Sequence, residues 1–205
     1  SGSGSFDLFD NAMIIKVDAT DLAATVADVN AMIARGLTSG TGLISTAGIA
    51  NRRLGVIKNQ GGSGPIYSSF FGETDLTGDE VLVLYTVVGD LNLDGAVTIS
   101  DFIDLASHFN GPGTWQDGDL NYDGLITISD FIDLASNFNQ TYSGQALPLN
   151  PADAKALADF ADAHGASVPE PLSCLLVLPL ALYCCNSRRR RMTVAKVPLL
   201  SASER

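Results

Sequence analysis

The sequence has little positive charge, little histidine and little cysteine, and each shortage argues against a class of function. Residues 1–187 contain six Lys and Arg against 22 Asp and Glu, so they lack the clustered basic residues that bind phosphate, and we expect no nucleic-acid partner. Two histidines, His108 and His164, do not favour a zinc site or a Ser-His-Asp triad. The three cysteines all lie between residues 174 and 185, which excludes a disulfide framework for the rest of the chain.

The acidic residues are concentrated in a stretch that has no basic residue. Between Asp90 and Asp133 the sequence contains nine Asp and not one Lys or Arg. These carboxylates have no side-chain counter-ion within the stretch, so we expect it to attract cations.

The same stretch contains an internal repeat. Residues 89–110 and 118–139 are identical at 18 of 22 positions, at an offset of 29 residues. Identity this high within one chain indicates that the two copies have the same physical role. Short repeats usually need a neighbouring copy to bury a shared apolar face, so the copies are expected to pack together.

Each copy begins with the pattern Asp-x-Asn-x-Asp-Gly and has another Asp at the twelfth position, which is the spacing of a calcium loop. Calcium takes about six to eight oxygen ligands, and such a loop offers them from positions 1, 3, 5, 7, 9 and 12, with Gly at position 6 for the sharp turn. Acidic turns without metal are the alternative, because Asp and Asn also favour turns. The intact pattern in both copies favours two Ca²⁺ sites, formed by Asp90, Asn92, Asp94, Ala96 (carbonyl), Thr98 and Asp101, and by Asp119, Asn121, Asp123, Leu125 (carbonyl), Thr127 and Asp130.

A short amphipathic helix is predicted after each loop, with Ser100 or Ser129 as its cap. A helix of about ten residues is marginal alone, so the two helices should pack together with their loops back to back. Val97 and Ile126, at the eighth loop position, are then expected to pair across a pseudo-twofold axis. Trp115, in the spacer between the copies, is expected to complete this small core rather than to form a carbohydrate platform.

A loop followed by a helix, repeated after a spacer of this size, resembles the type I dockerin module over residues 89–140. The resemblance implies a calcium-dependent fold that docks onto a cohesin of a scaffold protein. It also implies partner contacts at loop positions 10 and 11, where the isoleucines depart from the usual pair of small hydroxyl residues. A calcium-stabilised spacer without a partner is the alternative. The partner-binding positions implied are Ile99, Ser100, Ile128 and Ser129.

The residues upstream of the repeat predict a strand, a helix and a second strand. Residues 12–17 favour a strand, and Asp21 can cap a helix that ends at a Gly36 C-cap. Residues 36–80 predict loops with short strands at best, and residues 81–88 predict a buried strand. The start at Ser1 without a leader suggests a piece of a longer chain, so residues 1–88 are expected to belong to a larger domain.

The C-terminal end combines Pro169-Glu170-Pro171, the mostly apolar residues 172–185 and a cluster of four arginines, Arg188, Arg189, Arg190 and Arg191. Basic residues beside an apolar segment stay on the cytoplasmic side, which places the acidic body outside. This tripartite pattern resembles the PEP-CTERM sorting signal of bacteria. The resemblance implies transient anchoring in the membrane through 172–185, cleavage near Pro169 by an exosortase-like membrane protease, and a cytoplasmic tail at 192–205. A plain transmembrane anchor is the alternative.

Together these patterns predict an α+β protein: an N-terminal α/β or β segment (1–88), a mostly α calcium module (89–140), a linker with a short helix (141–167) and a sorting signal with an apolar helix (168–191). We expect a secreted, cell-surface bacterial protein whose calcium module acts in structural stabilisation or cohesin-type docking. The alternative is the non-catalytic C-terminal part of a polysaccharide-degrading glycoside hydrolase. No pair of carboxylates is placed as glycoside hydrolysis requires, so no enzyme activity is predicted for these residues.

Overall fold

The computed structural model describes residues 4–166 of the chain, and these form seven strands followed mainly by helices, with one helix between the second and third strands. The fold is mixed α+β, as predicted, and these residues belong to one compact unit. The predicted apolar helix at 172–185 lies outside the described residues. The elements are β1 (Ser5–Asp7), β2 (Ala12–Lys16), α1 (Leu22–Ser39), β3 (Gly42–Ile44), β4 (Arg52–Lys58), β5 (Ser69–Phe70), β6 (Glu73–Thr74), β7 (Glu80–Val87), α2 (Ile99–His108), a 3-10 turn (Trp115–Asp117), α3 (Ile128–Ser136) and α4 (Pro151–His164).

The core is organised around β7, the middle strand of an antiparallel sheet in the order β2-β7-β4. The prediction of a buried strand here is confirmed, because all eight residues of β7 are buried. α1 covers one face of this sheet with its buried apolar side chains, which include Val26 and Ile33. Two further pairs are small: β1 with β3, which is parallel, and the hairpin of β5 with β6.

The predicted C-terminal end of α1 is wrong by one turn. The helix continues through Gly36 and ends at Gly40, whose φ of 67° is the left-handed conformation that glycine adopts readily. Gly36 has a different role, since a Cβ there would lie 2.2 Å from the carbonyl oxygen of Leu43. Glycine at this position lets β3 approach the helix closely.

β4 is a seven-residue strand, although the region that contains it was predicted to hold short strands at best. Two arginines at its start and Gly55 at its centre interrupt the apolar pattern that identifies a buried strand. A Cβ on Gly55 would lie 2.7 Å from the ring of Trp115 and 2.8 Å from Leu93. Gly55 is therefore a contact point between the sheet and the repeat region.

The two helices that follow the repeated loops pack together, as predicted, with the rings of Phe102 and Phe131 5.9 Å apart. α4 covers them, because Phe160 lies 5.3 Å from Phe102, 4.9 Å from Phe109 and 4.8 Å from Phe131 between ring centroids. α4, the short helix predicted within the linker, begins after Asn150 and ends before Gly165, and the Asn150 side chain accepts a hydrogen bond from the Ala152 amide. Part of the predicted linker therefore completes the core of the repeat region.

Candidate metal centre

The two repeated loops have the same backbone conformation. The residue at loop position 4 has φ of 63° at Leu93 and 64° at Tyr122, and the glycine at position 6 has φ of 89° at Gly95 and 90° at Gly124. Left-handed backbone is uncommon for a bulky residue such as Leu or Tyr, so its occurrence at equivalent positions indicates a shared constraint. The sequence predicted the glycine turn and missed position 4.

In each loop the side chains of positions 1, 3 and 5 accept hydrogen bonds from the loop's own amides. In the first loop, the Asp94 amide donates to Asp90 (3.1 Å) and to Asn92 (2.9 Å), and the Ala96 amide donates to Asp94 (2.9 Å). In the second loop, the equivalent three bonds are 3.1, 2.8 and 2.9 Å long. This places the side chains of Asp119, Asn121 and Asp123 as in the first copy.

The aspartate at position 12 connects the end of each loop to its beginning. Asp101 accepts from the amide of Leu91 with one oxygen (2.9 Å) and from the amide of Thr98 with the other (2.8 Å). Asp130 makes the same bonds with Leu120 (3.0 Å) and Thr127 (2.9 Å). The position-12 carboxylate is therefore bonded to the amide of position 2 in both loops, so the two ends of each loop are held together, as a calcium loop needs.

The helix caps differ from the prediction. Thr98 and Thr127, and not the serines two residues later, are the N-cap residues of α2 and α3. Each threonine hydroxyl accepts from the amide of Ser100 or Ser129 (3.3 Å) and donates to the position-12 aspartate (3.1 Å). The threonine amide donates to the same aspartate, which closes a capping box. The predicted role of Thr98 and Thr127 as ligands at position 9 competes with this capping role.

The aspartates at positions 1 and 12 are buried in both loops: Asp90, Asp101, Asp119 and Asp130. None of these four, nor Asp94 or Asp123, is in an ion pair with a basic side chain within residues 4–166. Burial raises the pKa of Asp90 to about 7, with the charges of Asp101 and Asp94 acting in the same direction, although the hydroxyl of Thr86 opposes it. Burial likewise raises the pKa values of Asp101 and Asp119 to about 6. The site therefore concentrates negative charge where water cannot solvate it.

The donor set is made of oxygen atoms, which suits a hard cation such as calcium. An ionised carboxylate has about four lone-pair positions, so Asp90 or Asp101 can accept its amide bonds and still offer an oxygen to a cation. In residues 4–166, however, no three His, Cys, Asp or Glu side chains stand close enough together to form a ready-made metal site. The calcium set also includes Asn92, Asn121 and the carbonyls of Ala96 and Leu125, so the residues present fit the ion by donor chemistry.

The positions implied for partner binding are divided between surface and core. Ser100 and Ser129 are exposed, while Ile99 and Ile128 are partly buried against the core. Leu125, at loop position 7, has 52% of its surface exposed, whereas its counterpart Ala96 is partly buried. The serines are therefore the accessible members of the predicted partner-binding set.

Val97 and Ile126, which we expect to pair across a pseudo-twofold axis, make their backbone hydrogen bonds to other segments. The Val97 amide donates to Gln140 (2.9 Å), and the Ile126 amide donates to Gly111 (2.9 Å). Val97 of the first copy therefore bonds to the segment that follows α3, and Ile126 of the second copy bonds to the segment that follows α2. The two copies still exchange equivalent contacts, and both side chains are fully buried.

Several side chains tie the loops to the rest of the molecule, and only the core role of Trp115 was predicted from the sequence. The Trp115 indole donates to the carbonyl of Asp90 (2.9 Å), which confirms that this fully buried residue belongs to the core. Thr86 of β7 donates to the Asp90 carboxylate, Tyr67 donates to the carbonyl of Asn92 (3.0 Å), and Tyr122 donates to the carbonyl of Leu54 in β4. Loop 1 is thus bonded directly to the sheet strand that precedes it.

Comparison with known proteins gives no relative for this chain: no family model, curated protein or solved structure matches it significantly. Among residues 4–166, no helix combines the length and the apolar character needed to cross a membrane. The sorting and cleavage residues, Pro169 to Pro171 and Arg188 to Arg191, lie outside the described residues.

Proposed function

We propose that residues 89–140 bind two calcium ions, and that these ions lock a dockerin-like module onto the sheet of a protein exported to the bacterial cell surface. The observation that carries the proposal is the pair of matching loops, each with two buried aspartates and no basic partner within the described residues. An unpaired buried carboxylate costs several kcal/mol, and a divalent cation bound between such groups removes that cost.

The role of the ions follows from the contacts of the first loop. Asp90 is bonded through its carboxylate to Thr86 and through its carbonyl to Trp115, and Trp115 packs on Gly55 of β4. Ordering Asp90 by a cation therefore also orders the contact between the module and the sheet. Extracellular calcium, at about 10⁻³ M, saturates sites as weak as about 10⁻⁴ M, so the module acts as a permanent structural staple outside the cell.

Docking of a cohesin-type protein is the second part of the proposal. Its support is the sequence resemblance and the exposure of Ser100 and Ser129 at equivalent places of the two copies. Export and processing by an exosortase-like protease rest on the pattern of residues 168–191 alone.

The test is the stability of the full chain with and without calcium. Calcium at about 100 times its Kd should raise the free energy of unfolding by about 3 kcal/mol per site. Asp90→Ala with Asp119→Ala should abolish this gain. Asp104→Ala with Asp133→Ala removes the same charge from helix positions outside the ligand set, so this control should keep the gain. An equal calcium response in both double variants would refute the proposal.

A further inference from the structure

The strand β2 is an open edge of the central sheet. Within the described residues its one hydrogen-bonded neighbour is β7. In an antiparallel pair, alternate residues bond toward the same neighbour. The Val17 amide donates to the carbonyl of Asp79 (3.0 Å), so by alternation Ile15 and Met13 also bond toward β7. Ala12, Ile14 and Lys16 therefore direct their amide and carbonyl groups away from the sheet.

A strained aromatic residue lies beside this edge. The hairpin of β5 and β6 turns through Phe71 and Gly72, with φ values of 47° and 89°. A two-residue turn with both φ values positive favours Asn-Gly, so phenylalanine there is costly. The Phe71 side chain is nevertheless 61% exposed. A residue that is both strained and exposed on its own molecule indicates a contact made elsewhere.

The edge and the hairpin tip together form one groove. Ala12, Ile14 and Lys16 line one side, and Phe71, Gly72 and Glu73 line the other, around an open volume of about 670 Å³. Lys16 is the one charged side chain along this edge, and it binds Glu73 (2.8 Å) while 59% of its side chain stays exposed, so it remains open to a second acidic partner. The groove is of a size and polarity to accept one extended strand.

We propose that this groove is a self-association surface, in which β2 of a second copy of the chain adds antiparallel to β2. The strand is self-complementary in charge, because Asp10 precedes it and Lys16 ends it. In an antiparallel register that places Asp10 opposite Lys16 of the other copy, Ala12 lies opposite Ile14. The hydrogen bonds between the copies are then made only by residues whose amide and carbonyl groups point away from the sheet. The product is a continuous sheet in the order β4-β7-β2-β2-β7-β4 with twofold symmetry. Phe71 of each copy lies on the face of Ala12 and Ile14 and covers the junction.

The test is sedimentation equilibrium of the full chain between about 1 and 200 µM, the range in which a small interface dissociates. Phe71→Gly should raise the dimer Kd at least about tenfold while it raises the thermal unfolding midpoint, since glycine relieves the positive φ. Ile14→Pro removes an outward amide and leaves the bonds to β7 in place, so it should also abolish the dimer. Leu37→Ala, a matched loss of an exposed apolar side chain on α1, should leave the Kd unchanged.

Three results would overturn the proposal: a parent chain that is monomeric over the whole range, a dimer Kd that Phe71→Gly leaves unchanged, or equal weakening by Leu37→Ala. Circular dichroism of each variant establishes that it is folded. If Ile14→Pro does not fold, the contrast between Phe71→Gly and Leu37→Ala decides the question alone.

Discussion

Without metal, this protein should lose stability as the pH rises from 5 to 8. The pKa of Asp90 is raised from 3.8 to about 7 by burial, so the folded state holds its proton more tightly than the unfolded state does. The stability from this group is fully present below pH 3.8, falls as the pH rises, and is lost above pH 7. Asp101 and Asp119, with pKa values raised to about 6, act in the same direction.

The size of this loss in unfolding free energy can be worked out from the raised pKa of Asp90 alone. Between pH 5 and 8, the unfolded state releases this proton fully while the folded state releases it only near pH 7, which removes about 3 kcal/mol of unfolding free energy. For a chain of this size, that corresponds to about 10 °C in the unfolding midpoint. Glu80, whose pKa is lowered by hydrogen bonds from Thr77, Asn59 and Gly78 despite its burial, titrates below this range and does not oppose the trend.

The assay is differential scanning calorimetry of the full chain in metal-free buffers at pH 5, 6, 7 and 8, repeated with calcium. The metal-free midpoint should fall with each step. With calcium the trend should reverse, because the cation displaces these protons and therefore binds more tightly at higher pH. A metal-free unfolding midpoint that stays constant or rises between pH 5 and 8 would contradict this prediction. It would mean that other groups already compensate the burial of these aspartates.

Two further predictions concern the contact between the sheet and the loops. Gly55→Ala should lower the free energy of unfolding by about 1–3 kcal/mol, because the new methyl group overlaps the Trp115 ring. Gly62→Ala is the control and should have little effect, because nothing lies within 4 Å of a Cβ there. Equal urea midpoints for the two variants would contradict the close contact between Gly55 and Trp115. Trp115→Phe removes the indole donor to the buried carbonyl of Asp90 and should lower both the unfolding free energy, by about 1–3 kcal/mol, and the calcium affinity measured by titration calorimetry. If Trp115→Phe destabilises the protein but leaves the calcium affinity unchanged, the hydrogen bond from Trp115 does not contribute to ion binding.

The elements that the sequence predicted well are those whose signal is local. β7 is a continuous β-branched and apolar run, and α4 has a capping Asn150, a Pro at its first position and Gly165 after its end. The repeat predicted both loops because its spacing sets which side chains turn inward. These features depend on residues that are neighbours along the chain, so they can be predicted from the sequence.

The features that were missed depend on contacts distant in sequence. Gly36 has the signature of a helix end, but the approach of β3 determines its role. Gly55 weakens the pattern of β4 and is required only because Trp115, 60 residues later, packs there. The helix cap is an exception, because the Thr98 amide donates to Asp101 three residues later, and this local capping box places the cap two residues before Ser100. The roles of Gly36 and Gly55 are set by tertiary contacts.

The most direct test of the calcium hypothesis is the number of ions bound by the intact chain, measured by equilibrium dialysis against radioactive calcium at neutral pH. We expect two ions per chain, one in the loop that begins at Asp90 and one in the loop that begins at Asp119, and one ion after Asp119→Ala. No binding at millimolar calcium would contradict it, and would leave the repeated aspartates as turn residues of a metal-free core.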